Sequence, residues 1–326
     1  MAQDFLDQQN KWYAKPNIFD DNLQKQIYRW YLQFPKPSAD WSKPYFTPSS
    51  AGASDLDLWL KAKKYRKDTE GQKPWQGRWT ATGSQISTML QEQLLFQDKH
   101  YEKSIGEKAK FRNEYLPNGL PRFEQAASTY RFIEHNNQNI QIMGLPDGIA
   151  VYTDDNGNKH RVLIEYKTKS TTSARTSEYS MREAEEKHFK QVVTYSALFD
   201  IDYAIIVYLN LSKKSWFMSD QEFEKNPDLR AFGYKITQED RGEVLTKFSK
   251  VLDMVDKNEK PKFNLDEYAF SNFKTATAKY LTDEEVAEVR TYVRRVKASS
   301  QPDYIKTQLI DAYEDLVERR GKNGTK

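Results

Sequence analysis

The period of the hydrophobic pattern changes along the chain, and those changes predict its elements. Over 23–34, Ile27, Trp30, Tyr31 and Phe34 recur at helical spacing, and Pro35 and Pro37 stop the run. Leu56, Leu58, Trp59 and Leu60 predict a helix over 54–65; Ile86, Met89, Leu90 and Leu94 predict another over 83–96. Residues 100–121 are polar and read as a long connection, in part helical. From Arg122 the pattern turns β-like, with strands expected over 129–133, 140–152 and 160–167. Asp154-Asp-Asn-Gly-Asn158 marks a turn between the last two. Ser180-Met-Arg-Glu183 has the form of a capping box, so a helix is expected from there to about Phe199, followed by a buried strand over 203–209. Beyond Ser219 the chain is polar and helical: 237–255, then 284–297 behind the capping box Thr282–Glu285, then 304–319. The basic tail from Arg319 to Lys326 is expected to be mobile. No internal repeat is present.

The order strand, strand, strand, helix, strand predicts an α/β (α+β) protein: a central mixed β-sheet flanked by helices, with one helix crossing a sheet face. The pattern divides into an N-terminal helical arm (1–80) packing on the rest, a core (81–220) and a C-terminal helical extension (221–326).

Composition narrows the chemistry. There is no cysteine, which excludes disulfides, thiolate metal sites, iron–sulfur clusters and a cysteine nucleophile. The four histidines, His100, His135, His160 and His188, have no paired metal spacing, so a metal would rest on carboxylates, which favours Mg²⁺ or Mn²⁺ over zinc. No apolar run approaches the ~20 residues of a membrane span. The first residues lack a secretory pattern, and a cytoplasmic protein is expected (in the host cell if phage-encoded). The net charge of +3 permits nucleic-acid binding without requiring it. The lysine and arginine run from Lys61 to Lys67 could contact phosphates, but a solvated face is the preferred reading.

Three ionisable groups on apolar, strand-like runs stand out. Asp147 lies in Ile142-Met-Gly-Leu-Pro-Asp-Gly148; Glu165 and Lys167 lie in Val162-Leu-Ile-Glu-Tyr-Lys167, on one face of a strand. Asp147 and Glu165, with the Tyr166 carbonyl, suit a divalent cation. Lys167 would orient the attacking water and stabilise a phosphoryl transition state. Gly148 would leave room for an ion or phosphate beside the backbone. The turn matters here: a two-residue loop at Asn156-Gly157 would put Asp147 opposite Tyr166, on the wrong face, so another hairpin type is expected. The plainer alternatives are a turn aspartate and an exposed Glu165–Lys167 pair of little energetic worth.

Pro146-Asp147, Glu165-Tyr-Lys167 and Gln191-Val-Val-Thr-Tyr195 together resemble the PD-(D/E)XK nuclease superfamily. Within it the pattern resembles the RecB-type domains, the lambda-exonuclease group and the Cas4 nucleases. The resemblance implies a restriction-endonuclease-like core, dependence on Mg²⁺ or Mn²⁺, and DNA cleavage, here as a phage-type exonuclease resecting double-stranded ends in recombination or replication. It gives Gln191 and Tyr195 roles in positioning DNA or metal-bound water; Lys169 and Arg175, in the Ser/Thr-rich stretch that follows, are candidate DNA contacts by their charge, with a solvated loop arginine an equal reading of Arg175. The early-helix histidine ligand of RecB-type domains corresponds here to Ser87. Glu92 is the first substitute, with Gln91 and Glu124 behind it. The cysteines of the cluster-bearing relatives are absent. A homo-oligomer and a single-strand annealing or binding protein are possible partners on this resemblance. The alternatives are a nuclease-fold protein that binds DNA or a recombination partner without cutting, and a defence or restriction-type endonuclease.

Overall fold

The computed structural model describes residues 1–69, 73–212 and 215–323. The elements run α1 (Ala2–Tyr13), α2 (Asp21–Gln33), α3 (Asp55–Ala62), α4 (Pro74–Ile105), β1 (Phe111–Asn113), β2 (Thr129–His135), β3 (Gln138–Gly144), β4 (Gly148–Thr153), β5 (Lys159–Lys169), α5 (Glu186–Phe199), β6 (Tyr203–Asn210), α6 (Asp220–Lys225), β7 (Leu229–Lys235), α7 (Gln238–Asp256), α8 (Leu265–Tyr268), α9 (Lys274–Tyr280), α10 (Asp283–Ala298) and α11 (Asp303–Asn323). Five strands form a mixed sheet in the order β1-β4-β5-β6-β7, parallel only between β5 and β6; β2 and β3 make a separate hairpin. The protein is thus a mixed sheet flanked by helices.

Strand alternation decides which layer each side chain joins. Val162, Ile164 and Tyr166 of β5, with Ile205 and Val207 of β6, pack with Phe5 of α1 and Leu90 and Leu94 of α4. Leu163, Ala204, Ile206 and Tyr208 face the other way, toward Val192, Val193 and Tyr195 of α5, with α3 and α7 outside them. Because β5 and β6 are parallel, a crossover is required, and α5 supplies it. Glu165 and Lys167 share the parity of Leu163 and so face α5.

The N-terminal helices cover the far end of α4 through Trp12, Leu23, Ile27, Leu95, Phe96 and Phe123. The last helices have their own core, including Leu265, Val293, Leu309 and Leu316. Caps set several boundaries: Asp20 accepts from the Leu23 N–H, and the Thr237–Asp240 and Thr282–Glu285 capping boxes open α7 and α10.

Four expectations are corrected. The helix expected over 83–96 is the 32-residue α4, begun by Pro74 and stopped by Gly106 at φ 89°. Its early turns carry no apolar stripe, because they pack on little. The run expected as one strand over 140–152 breaks at 145–147, where Pro146 offers no N–H, so β3 and β4 join different sheets. The Ser180 capping box does not form. The Ser180 N–H is held by Ser177 Oγ, Tyr208 Oη accepts from the Glu185 N–H, and α5 starts only at Glu186. Residues 221–326, expected to be helical throughout, also supply the edge strand β7, between α6 and α7.

The charged runs are also more engaged than expected. Lys61 lies over the Tyr45 ring, Lys63 donates to Asn258, and Lys64 donates to the Ser42 carbonyl. Arg319 and Arg320 belong to α11 and pair with Asp315 and Asp283, while 324–326 of the expected mobile tail lie outside the described residues.

Candidate functional site

The break after β3 places the aspartate. The Tyr195 hydroxyl donates to the Leu145 carbonyl at 2.6 Å, pinning the link just before Asp147. A Cβ at Gly144 would lie 2.8 Å from Pro48 and 3.0 Å from the Tyr195 ring, so only glycine lets α5 approach this closely. Strand β4 then pairs with β5 in the register Gly148↔Ile164 and Thr153↔Lys159. The turn over 154–158 is closed by the Asp154 N–H donating to the Asn158 carbonyl, so it is not a two-residue hairpin. Extended one residue back, the register sets Asp147 beside Glu165, and Asp147 Oδ2 accepts the Tyr166 N–H at 2.6 Å.

Glu165 is 5% exposed, and its Oε1 accepts from Lys167 Nζ and Gln191 Nε2, each at 2.7 Å. Lys167 Nζ also donates to Gln191 Oε1 at 3.1 Å, closing a three-membered polar ring. Gln191 and Tyr195, four residues apart on α5, therefore act on different targets: Gln191 holds the Glu165–Lys167 pair, and Tyr195 holds the Asp147 link.

From the opposite side α4 contributes Gln91. Its Nε2 donates to Glu124 Oε1 and Ser87 Oγ at 3.0 Å and approaches Asp147 Oδ1 at 3.4 Å, while its Oε1 is buried without a hydrogen-bond partner. Ser87, at the position of the resembled family's histidine ligand, thus orients Gln91 instead. Glu92 lies about 100° further round the helix, where it meets Gln24 at 3.5 Å, and burial raises its proton affinity. Glu124, not Glu92, adds its charge to the Asp147–Glu165 pair. Of the two substitutes named behind Glu92, Gln91 touches Asp147 and Glu124 sits beside it.

Electrostatics marks the pair out. Burial, then the neighbouring Glu165 charge, holds the Asp147 carboxyl well above the usual carboxylate range, although Asp147 keeps part of its surface open. Burial raises Glu165 as well, against the opposing pull of Lys167 and Gln191. Two desolvated acids that each resist ionisation are what a bound cation would relieve. They open with Glu124, Lys167, Ser87 and Thr168 onto one cleft of about 970 Å³.

A divalent cation fits this donor set. Asp147, Glu165 and the Tyr166 carbonyl would hold it, with water in the remaining positions, the habit of Mg²⁺ rather than of a closed protein cage. Among the described residues no three His, Asp or Glu side chains form a metal-binding group by themselves. An added Cβ at Gly148 would meet nothing within 4 Å, so space remains beside the aspartate.

The remaining sequence candidates lie elsewhere. Lys169 is bound to Glu185 and lies 5.3 Å over the Tyr208 ring. Arg175, on a short exposed turn, donates to Thr171 Oγ1. His188 Nδ1 lies 2.8 Å from Tyr208 Oη, and burial and then the Lys167 charge press its pKa down to about 4. It is a neutral packing group.

No family profile matches the chain, and no curated protein matches it. Among solved structures it is similar to the protein SSO0001 (14% identity, TM-score 0.39, covering 80% of this chain and 95% of that one) and to an alkaline exonuclease from Laribacter hongkongensis (11%, 0.37, covering 71% and 94%). A phage-related exonuclease from Haemophilus somnus is 15% identical, with a TM-score of 0.26, covering 40% and 61%. At such scores these likenesses carry no weight, and the site rests on its own geometry.

Proposed function

We propose that the protein is a divalent-metal-dependent deoxyribonuclease that acts on the ends of double-stranded DNA. The observation that supports it is the Asp147–Glu165 pair: two buried acids of raised proton affinity, opening into one cleft beside the ammonium of Lys167. Mg²⁺ or Mn²⁺ bound there would neutralise phosphate charge and activate water. The chain's own groups have distinct parts in this reading. Lys167, held by Glu165 and Gln191, presents its ammonium to the developing charge on the phosphate. Gln191 fixes the Glu165 carboxylate so that one oxygen faces the cleft, and Tyr195 keeps the Asp147 link in register.

A second reading, DNA binding without cleavage, has one observation in its favour. The side chain that reaches Asp147 from α4 is the neutral amide of Gln91 rather than a ligand. Digestion of linear, nicked and closed circular DNA with Mg²⁺, beside Lys167→Ala and Asp147→Asn, separates the readings. The nuclease reading expects loss of linear DNA only, and only by the wild type. Binding of DNA with every form left intact would select the second reading. Equal digestion by wild type and both variants would refute the residue assignment.

A further inference from the structure

The cleft that holds the acid pair has a wall from an unexpected source. Its lining includes Tyr28 and Tyr31 of α2, a helix of the arm read from sequence as packing alone. Helix α2 buries Leu23 and Ile27 against α4, yet leaves the Tyr28 ring 59% exposed at the cleft. Lys25 and Arg29, on either side of Tyr28 along the helix, are exposed as well. Tyr31 is different: its ring packs edge-on against Phe123 at 5.6 Å, while its hydroxyl is buried with no hydrogen-bond partner. Burial and the charges of Glu92 and Glu124 keep that phenol neutral, so it remains a donor.

An exposed aromatic at the mouth of a polar cleft, with Lys25 one turn before it and Arg29 next to it in sequence, both exposed, is a composite feature. Cations attract phosphates, and an aromatic face stacks on any base.

We propose that α2 is a nucleotide subsite of this cleft: Tyr28 stacks on the terminal base of a DNA strand, Tyr31 packs behind it as a fixed wall, and Lys25 and Arg29 hold the phosphates beyond. The subsite rests on the nuclease reading for its substrate class and deepens it, since it would favour strand ends that present a terminal base, whichever base that is.

The test uses the full-length protein and a duplex with 2-aminopurine at one end, titrated without divalent metal so that nothing is cut. Wild type, Tyr28→Phe and Tyr28→Trp are expected to quench the probe, and Tyr28→Ala to leave it bright. With Mg²⁺, Tyr28→Ala should raise KM for linear duplex about tenfold and change kcat little. That penalty should vanish on a duplex whose terminal residue is abasic. The Phe and Trp variants separate loss of stacking from loss of folding. Quenching and KM unchanged in Tyr28→Ala, in a protein that cuts linear DNA, would overturn the subsite and leave the nuclease reading standing. A wild type that neither binds nor cuts any DNA would overturn both.

Discussion

Strand β5 carries two clusters of charge along the same face, and they are balanced in opposite ways. At Glu165 the acids outnumber the cations: Asp147 and Glu165, with Glu124 nearby, have Lys167 alone, and both buried carboxyls are pushed up. Two residues beyond Lys167, Lys169 is bound to Glu185, which also has Lys187 at 3.1 Å. There burial raises the carboxyl, but the two lysines outweigh it and leave Glu185 at about 2. The second cluster is satisfied by the chain itself. The first is short of positive charge and opens onto the cleft, which is why the proposed cation is assigned to it. Equal chemical types on one strand face therefore have different meanings, and the surrounding count of charge separates them.

Substitutions should separate the clusters in the same way. The largest effect is expected from Lys167→Ala, Asp147→Asn or Glu165→Gln: cleavage of linear duplex falls by about a thousandfold or more, with the fold retained by circular dichroism. Lys169→Met should leave cleavage within a few-fold of wild type and instead cost up to about 1 kcal/mol in denaturant unfolding, because it leaves the partly buried Glu185 with Lys187 as its remaining lysine partner. A thousandfold loss of cleavage in Lys169→Met would erase the distinction.

Smaller effects sharpen it. An acid whose folded-state pKa lies above its unfolded value costs stability at neutral pH, and that cost shrinks as pH falls through the folded value and is gone below the unfolded one. Asp147→Asn, which keeps an oxygen for the Tyr166 N–H, should therefore stabilise the metal-free protein by about 1–2 kcal/mol at pH 7 and by less near pH 4. Glu185 has the reverse sign: its contribution is present above its unfolded value and is lost as pH falls toward about 2. Glu185→Gln should therefore destabilise the protein at pH 7 and matter less as the medium is acidified. Chemical unfolding of each variant across that pH range reads both signs. The smallest effect is expected from exchanging the two glutamates near α4. Glu124→Gln should weaken Mn²⁺ binding several-fold, and Glu92→Gln should change it less than twofold, by calorimetric titration.

How much of this was legible in the sequence follows from how local each cause is. The strands β5 and β6, the C-terminal end of the crossover helix and the Thr282–Glu285 cap are written in short-range patterns, and they form where expected. Asp147, Glu165, Lys167, Gln191 and Tyr195 are brought together because strand parity and helical spacing are also short-range rules. The break at Pro146 was visible as a proline but not as a change of sheet, since pairing partners are chosen by distant chain. Helix α4 outran its apolar stripe because its first turns are exposed. The partners of Lys169 and Glu92 were not legible for one reason: which of several nearby charges meets a given side chain depends on tertiary neighbours, Glu185 for one and Gln24 for the other. Glu124 and Gln91 carried no motif of their own and stood only as substitutes behind Glu92; the Gln91 contact with Asp147 and the Glu124 charge beside it depend on tertiary neighbours.

The claim beneath all of this is that Asp147 and Glu165 share one divalent cation. Anomalous diffraction from crystals soaked in Mn²⁺ tests it most directly. The account expects a peak between those two carboxylates in the wild type, and none there in Asp147→Asn. A peak only at other sites, or none in crystals whose protein cuts DNA in the same Mn²⁺ buffer, would contradict it.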